Sequence, residues 1–197
     1  MVIGERFAWA HLPKTAGMAT ARLFNLFPDL VVFADPEDTN DMHIPFSQRS
    51  EQLQGKVFAM NLRRLPVWVL SRAQHVARHG IHPDYEPIPI DPPEVLAQSS
   101  FPDSRIEIYT DGGRIRIDRW LRAESIADDF LAFICEFTEV TPEQRQQVHD
   151  MGPVNTHDYD KDVRSWFTPD LIERMYAANP VWAGLELEIY GGTFDAA

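Results

Sequence analysis

The sequence predicts an α/β fold in which a central, mainly parallel sheet is covered by helices. Three observations carry that prediction: an apolar run near the N-terminus that passes through a tight turn into a helical pattern, a second strand-to-helix alternation between residues 57 and 79, and helical periods through the C-terminal third. Strands that alternate with helical segments lie side by side in parallel, because each crossover helix returns the chain to the same edge. At 197 residues and 44% hydrophobic composition the chain can build one sizeable core and is short for two. Residues 1–197 therefore read as a single domain.

Taken in order, Phe7-Ala8-Trp9-Ala10 is a buried strand, Pro13-Lys14-Thr15-Ala16-Gly17 is a turn, and a helix with apolar Leu23, Phe24 and Leu26 follows. Leu30-Val31-Val32-Phe33 reads as a short second strand and the polar stretch 35–42 as a loop. Val57 to Leu62 is a third strand, and Pro66 to about His79 a helix with Val69, Leu70, Val76 and Ala77 at helical spacing. Residues 80–93 hold five prolines and no clear period, as expected of an exposed loop or lid edge. Arg105 to Tyr109 and Arg114 to Ile117 alternate around Asp111-Gly112-Gly113, which predicts a hairpin, with Trp120-Leu121 continuing its second arm. Ser125 is placed to cap a helix running to Phe137, Thr141-Pro142-Glu143 opens another, and further helices fall at Pro169 to Tyr176 and around Trp182.

The net charge of −12 argues against broad nucleic-acid binding and against an acidic polymer as partner. No apolar run reaches the roughly 18 residues that span a membrane, and no basic, then apolar leader opens the chain. The chain reads as soluble and cytoplasmic. One cysteine, Cys135, excludes an internal disulfide framework, and its apolar neighbours predict a buried, inert thiol.

The first turn has the makings of an anion site. Backbone N–H groups at the start of a helix lack intrahelical partners and carry partial positive charge, which favours phosphate or sulfate. Lys14 adds a full charge, Gly17 permits close backbone approach, and Thr15 and Thr20 offer hydroxyls. The bland reading of the same residues is a strand-to-helix connection with a solvated lysine.

His11-Leu12-Pro13-Lys14-Thr15-Ala16-Gly17 resembles the loop with which sulfotransferases that use 3′-phosphoadenosine 5′-phosphosulfate (PAPS) hold the 5′-phosphosulfate. That family has glycine where this chain has Ala16, and Thr-Ser where it has Met18 and Ala19. The resemblance continues at Arg63 and Ser71, eight positions apart with no gap, which match the family's pair of 3′-phosphate ligands, with Arg64 and Leu65 in place of its Asp-Pro. A guanidinium and a hydroxyl suit that task, since one offers a charged fork and the other a neutral donor. The segment with Asp118, Arg122, Glu124, Asp129 and Phe130 is also similar to the family's, and Arg122 and Glu124 are expected to form a structural ion pair. Val154-Asn155-Thr156 and Trp166-Phe167-Thr168-Pro169 resemble its nucleotide-covering loop and following helix, making Asn155, Thr156, Lys161 and Arg164 secondary cofactor candidates.

The resemblance spans roughly residues 7 to 185 and implies a P-loop-like three-layer fold: a central mainly parallel sheet with helices on both faces. It implies an enzyme that moves the sulfuryl group of PAPS to an acceptor hydroxyl, on a carbohydrate or small glycosylated molecule, with no metal. Lys14, Thr15, Ala16, Gly17, Met18, Thr20, Arg63 and Ser71 are the cofactor residues it suggests, and segments 35–50 and 80–100 the acceptor or lid loops. The catalytic pair is Lys14, which neutralises the leaving phosphate, and His43, which takes the acceptor's proton from its place between loop and 3′-phosphate strand. Glu86 is an alternative base, and His11 is expected to brace the loop. His75 and His79, at i and i+4, could begin a zinc site but lack an evident third ligand; His149 and His157 are expected to be exposed. Two other functions stay open: a non-catalytic nucleotide- or PAP-binding module, motivated by the missing Thr-Ser hydroxyls, and a small P-loop-like kinase, which would need an acidic metal ligand at a strand end. The acceptor and the oligomeric state are not legible in the sequence.

Overall fold

A computed structural model describes residues 1–36, 43–79, 89–152, 154 and 158–194. The fold is α/β, with a five-stranded mixed sheet in the order β3-β1-β2-β4-β5. The strands are β1 (Val2–Ile3), β2 (Phe7–Ala10), β3 (Phe33–Ala34), β4 (Val57–Leu62) and β5 (Arg119–Arg122). β2, β4 and β5 run parallel, with Ala10 opposite Met60 and Leu62 opposite Arg122, whereas β1 is antiparallel to both β2 and β3. The expected parallel core is present, and the short N-terminal strand makes the whole sheet mixed.

The described residues group into two compact units, Met1–Leu62 with Glu107–Thr156 and Arg63–Ile106 with His157–Ala197. The first holds the sheet, α1 (Gly17–Phe24), α5 (Ile126–Ile134) and α6 (Pro142–Asp150). All four residues of β2 are buried, and its alternate rings Phe7 and Trp9 both pack on Phe24 of α1 at 5.6 Å. Phe130, Phe133 and Ile134 of α5 complete this core. Burying such side chains stabilises a fold by about 1.5–3 kcal/mol each. α6 opens with a reciprocal cap, in which Thr141 Oγ1 accepts from the Gln144 N–H and Gln144 Oε1 from the Thr141 N–H.

The second unit is helical: α2 (Leu65–His79), α3 (Pro93–Gln98), α7 (Pro169–Ala178), α8 (Pro180–Tyr190) and the first half of α4 (Phe101–Thr110). Trp68 and Trp182 pack 5.1 Å apart in its core. Asp103 of α4 caps α8, accepting from the N–H groups of Val181 (2.9 Å) and Trp182 (2.8 Å). Glu186 is fully buried and takes the N–H of Leu65 at the start of α2, the guanidinium of Arg64 at 3.1 Å and the hydroxyl of Tyr176 at 3.0 Å. Burial still pushes its carboxyl above the ordinary range.

Five local expectations are corrected. Arg105 to Tyr109 is helical, because Pro102 sits in the first turn and Ile106, Tyr109 and Thr110 share one buried face while Ile108 is exposed. Asp111, Gly112 and Gly113 all have positive φ and end that helix, with the Gly112 N–H bonding the Glu107 carbonyl at 2.8 Å. The strand expected from Leu30 starts only at Phe33, after a 3-10 turn at Pro28–Leu30, and Ser125 ends a 3-10 turn with no side-chain cap. Cys135 is exposed, since α5 and its buried face end at Ile134 and Cys135 is the residue that follows. Arg122 directs its fork to Asp129 at 2.7 and 2.8 Å. Among residues 80–100, Pro93–Gln98 is helical rather than loop.

Candidate functional site

Residues 11–16 carry the chain from the end of β2 into α1, at the carboxyl edge of the three parallel strands, where ligands of open α/β sheets bind. Lys14 (φ 68°) and Ala16 (φ 66°, ψ 20°) both have left-handed backbone. That conformation costs a residue with a Cβ roughly 1–2 kcal/mol, so the surroundings must impose it. Left-handed Ala16 directly before helical Gly17 turns successive N–H groups toward one concave side. α1 then begins without a side-chain cap. Its first N–H groups and the positive end of its dipole suit an anion.

Asn61 of β4 holds the loop in this shape. Its Oδ1 accepts from Trp9 Nε1 at 2.6 Å, and its Nδ2 donates to the Thr15 carbonyl at 2.8 Å and to Thr20 Oγ1 at 2.7 Å. Asn61 is fully buried, so each bond is shielded from water. The two threonines face inward as well. Thr15 Oγ1 donates to the Leu12 carbonyl at 2.7 Å and Thr20 Oγ1 to the Ala16 carbonyl at 3.2 Å. Both hydroxyls thus shape the loop from within, and both threonines are fully buried.

His11 is buried beneath the loop, stacked on Trp9 with ring centroids 5.7 Å apart. Its ring takes the space beside Gly17: a Cβ built there would lie 1.7 Å from the imidazole Cδ2. Burial foremost, then the charges of His43, the chain N-terminus and Lys14, hold its pKa well below the usual histidine value, so the ring is neutral at pH 7. Bracing by His11 is thus a steric wedge under Gly17. Lys14, Ala16, Met18 and Ala19 are half-buried on the outer side.

His43 meets the same loop. Its Nδ1 lies 3.3 Å from the His11 carbonyl, and the two rings are 4.6 Å apart. A hydrogen bond from Nδ1–H to that carbonyl leaves the basic lone pair on Nε2. Tyr109, 1% exposed, shares its hydroxyl proton between the carbonyls of His11 and His43, at 2.8 Å each. One side chain thereby ties the loop to the histidine.

Lys14, Thr15, Ala16, Gly17, Met18, Thr20 and His43 therefore belong to one unit. Arg63 and Ser71 belong to the other, Arg63 following directly on the last residue of β4. Ser71 is buried on α2, roughly 9 Å along the helix axis from Leu65. The Arg63 carbonyl accepts from Trp182 Nε1 at 3.0 Å. Arg64 is built into the helical unit, bonding Glu186 and the Gly192 carbonyl and lying 4.2 Å from the Tyr190 ring centre.

Other candidates are placed as follows. Lys161 and Arg164 are exposed, with the Arg164 guanidinium 5.4 Å from the Phe194 ring centre. Asn155, Thr156, Glu86 and His157 lie outside the described residues. His75 and His79 have rings 4.8 Å apart, and among the described residues no set of three metal-ligating side chains gathers. His149 is exposed, 3.8 Å from Asp128. Sequence reasoning missed Asn61 and Tyr109. An amide inside an otherwise apolar strand was the available signal for Asn61, and the mistaken hairpin hid Tyr109. No protein-family model, curated protein or solved structure matches the chain.

Proposed function

We propose that the chain is a PAPS-dependent sulfotransferase of P-loop-like, three-layer design, transferring a sulfuryl group to an acceptor hydroxyl. The observation that carries this reading is the loop from Lys14 to Gly17. Two left-handed residues and an uncapped helix start gather N–H groups beside a lysine, at the carboxyl edge of the parallel strands. PAPS supplies the sulfuryl group as substrate. The N–H groups of residues 15–18 and Lys14 hold the 5′-phosphosulfate, and Lys14 places positive charge where the leaving phosphate oxygen gains negative charge. Arg63 and Ser71 take the 3′-phosphate. His43, its Nδ1 directed at the His11 carbonyl, accepts the acceptor's proton on Nε2 as the acceptor oxygen bonds to sulfur and the sulfur–phosphate oxygen bond breaks.

The donors that Met18 and Ala19 cannot supply are replaced by backbone. A second reading, a non-catalytic PAP-binding module, draws on the same point, because the Thr15 and Thr20 hydroxyls are engaged within the loop. Transfer of labelled sulfate from PAPS to a panel of carbohydrate and aryl alcohols separates the two. The enzyme reading expects turnover on at least one acceptor, reduced by about 100-fold or more in His43→Ala. Binding of PAP without transfer to any acceptor selects the module.

A further inference from the structure

The helical unit contains a cavity of about 290 Å³ between α2 and the segment 89–102. Its wall is mostly apolar, with Trp68, Val76, Leu96 and Phe101 among the lining side chains, and Arg72 opens into it. Small-ligand sites are of this kind: an apolar chamber of roughly 300 Å³ or more with one or two polar anchors.

The guanidinium is the informative group. Arg72 lies 4.1 Å from the centre of the Phe101 ring, and Arg105, one turn along α4, lies 4.9 Å from the same centre. Two cations thus crowd one aromatic ring. Burial, and then the charge of Arg105, lower the Arg72 pKa to about 10, which leaves it cationic at neutral pH but poorly solvated. Among the described residues neither arginine has a carboxylate partner. Asp91, the one carboxylate among the described lining residues, is exposed and makes no ion pair with either arginine. Buried guanidinium groups are ordinarily paired, because an uncompensated charge away from water is costly. An entering anion would give the two guanidinium groups an acidic partner that the described residues do not provide, and the ring and alkyl walls would take its apolar body.

We propose that this cavity binds a small amphipathic acid, an aromatic body bearing one sulfonate, sulfate or carboxylate, with Arg72 as the anion's anchor and Arg105 reinforcing it. The assignment uses no residue of the Lys14 loop, and the cavity wall overlaps the segment 80–100 that the sequence suggested as an acceptor or lid loop.

Titration calorimetry on the whole chain with naphthalene-2-sulfonate and its neutral isostere, naphthalene-2-sulfonamide, tests it. The sulfonate is expected to bind at least about tenfold more tightly than the sulfonamide. Arg72→Gln should abolish that preference while leaving sulfonamide binding intact, and Val76→Trp, which fills the cavity, should weaken both. Arg105→Gln, at a half-buried position, should cut the preference about threefold and carries the test if Arg72→Gln does not fold. Lys14→Ala should change neither probe. Equal binding of the two probes, an unchanged preference in both arginine variants, or loss of sulfonate binding in Lys14→Ala overturns the proposal.

Discussion

The imidazole of His11 occupies the volume that any side chain at residue 17 would need, with its Cδ2 1.7 Å from where a Cβ on Gly17 would stand. Gly17 is therefore fixed by packing as well as by its position at the start of α1. Gly17→Ala is expected to lose roughly 2–3 kcal/mol in urea unfolding, the scale of overpacking a filled core. In a His11→Ala background the same substitution should cost less than about 1 kcal/mol, because the wedge is gone. Additive losses in the double variant would disprove the steric coupling.

His11 also predicts how stability responds to acid. Its unfolded form takes up a proton near pH 6.5, the ordinary histidine value, whereas the buried ring does so only well below it. Between those two values the unfolded chain binds more protons, so stability falls as pH drops below about 6.5. Urea midpoints measured across that range should decline toward acid in the wild type, and His11→Gln should flatten this part of the decline.

Asn61 should be among the most sensitive positions in the strand-bearing unit. Asn61→Ala leaves the Trp9 indole N–H and the Thr15 carbonyl buried without their partner. At roughly 1–3 kcal/mol per orphaned group, a loss of about 3 kcal/mol is expected by denaturant titration. Asn61→Asp, which keeps the acceptor for Trp9 and removes both donors, should also lose stability and weaken PAP binding.

The left-handed backbone at Ala16 gives a prediction of unusual sign. Ala16→Gly should be neutral or stabilising by up to about 1 kcal/mol, since glycine adopts φ 66° without a Cβ penalty. Ala19→Gly, three residues on and inside α1, should cost about 1 kcal/mol. Thermal melts of the two variants compare the effects directly.

Much of the strand and helix pattern was legible because it rests on local periodicity. Phe7 to Ala10 is a continuous apolar run, Val57 to Leu62 is one broken only by Asn61, and Thr141-Pro142 and Thr168-Pro169 are helix starts with capping chemistry in view. The hairpin failed because Arg105 to Tyr109 satisfies a two-residue alternation while Ile106, Tyr109 and Thr110 also satisfy a helical one, and only tertiary burial decides between them. Cys135 failed for a related reason: apolar neighbours in sequence do not share a face once α5 stops at Ile134. At the site, Lys14 and His43 were visible as residue types. The clasp that shapes their surroundings was not, because Asn61 and Tyr109 act through contacts 41 to 98 residues apart in sequence.

The most direct test of the central claim is calorimetry with 3′,5′-adenosine bisphosphate against ATP with magnesium, using the wild type, Lys14→Ala and Arg63→Ala. Tight binding of the bisphosphate is expected, weakened about tenfold or more by each substitution, with no preference for ATP. Stronger binding of magnesium ATP, or bisphosphate affinity unchanged in both variants, would contradict the claim.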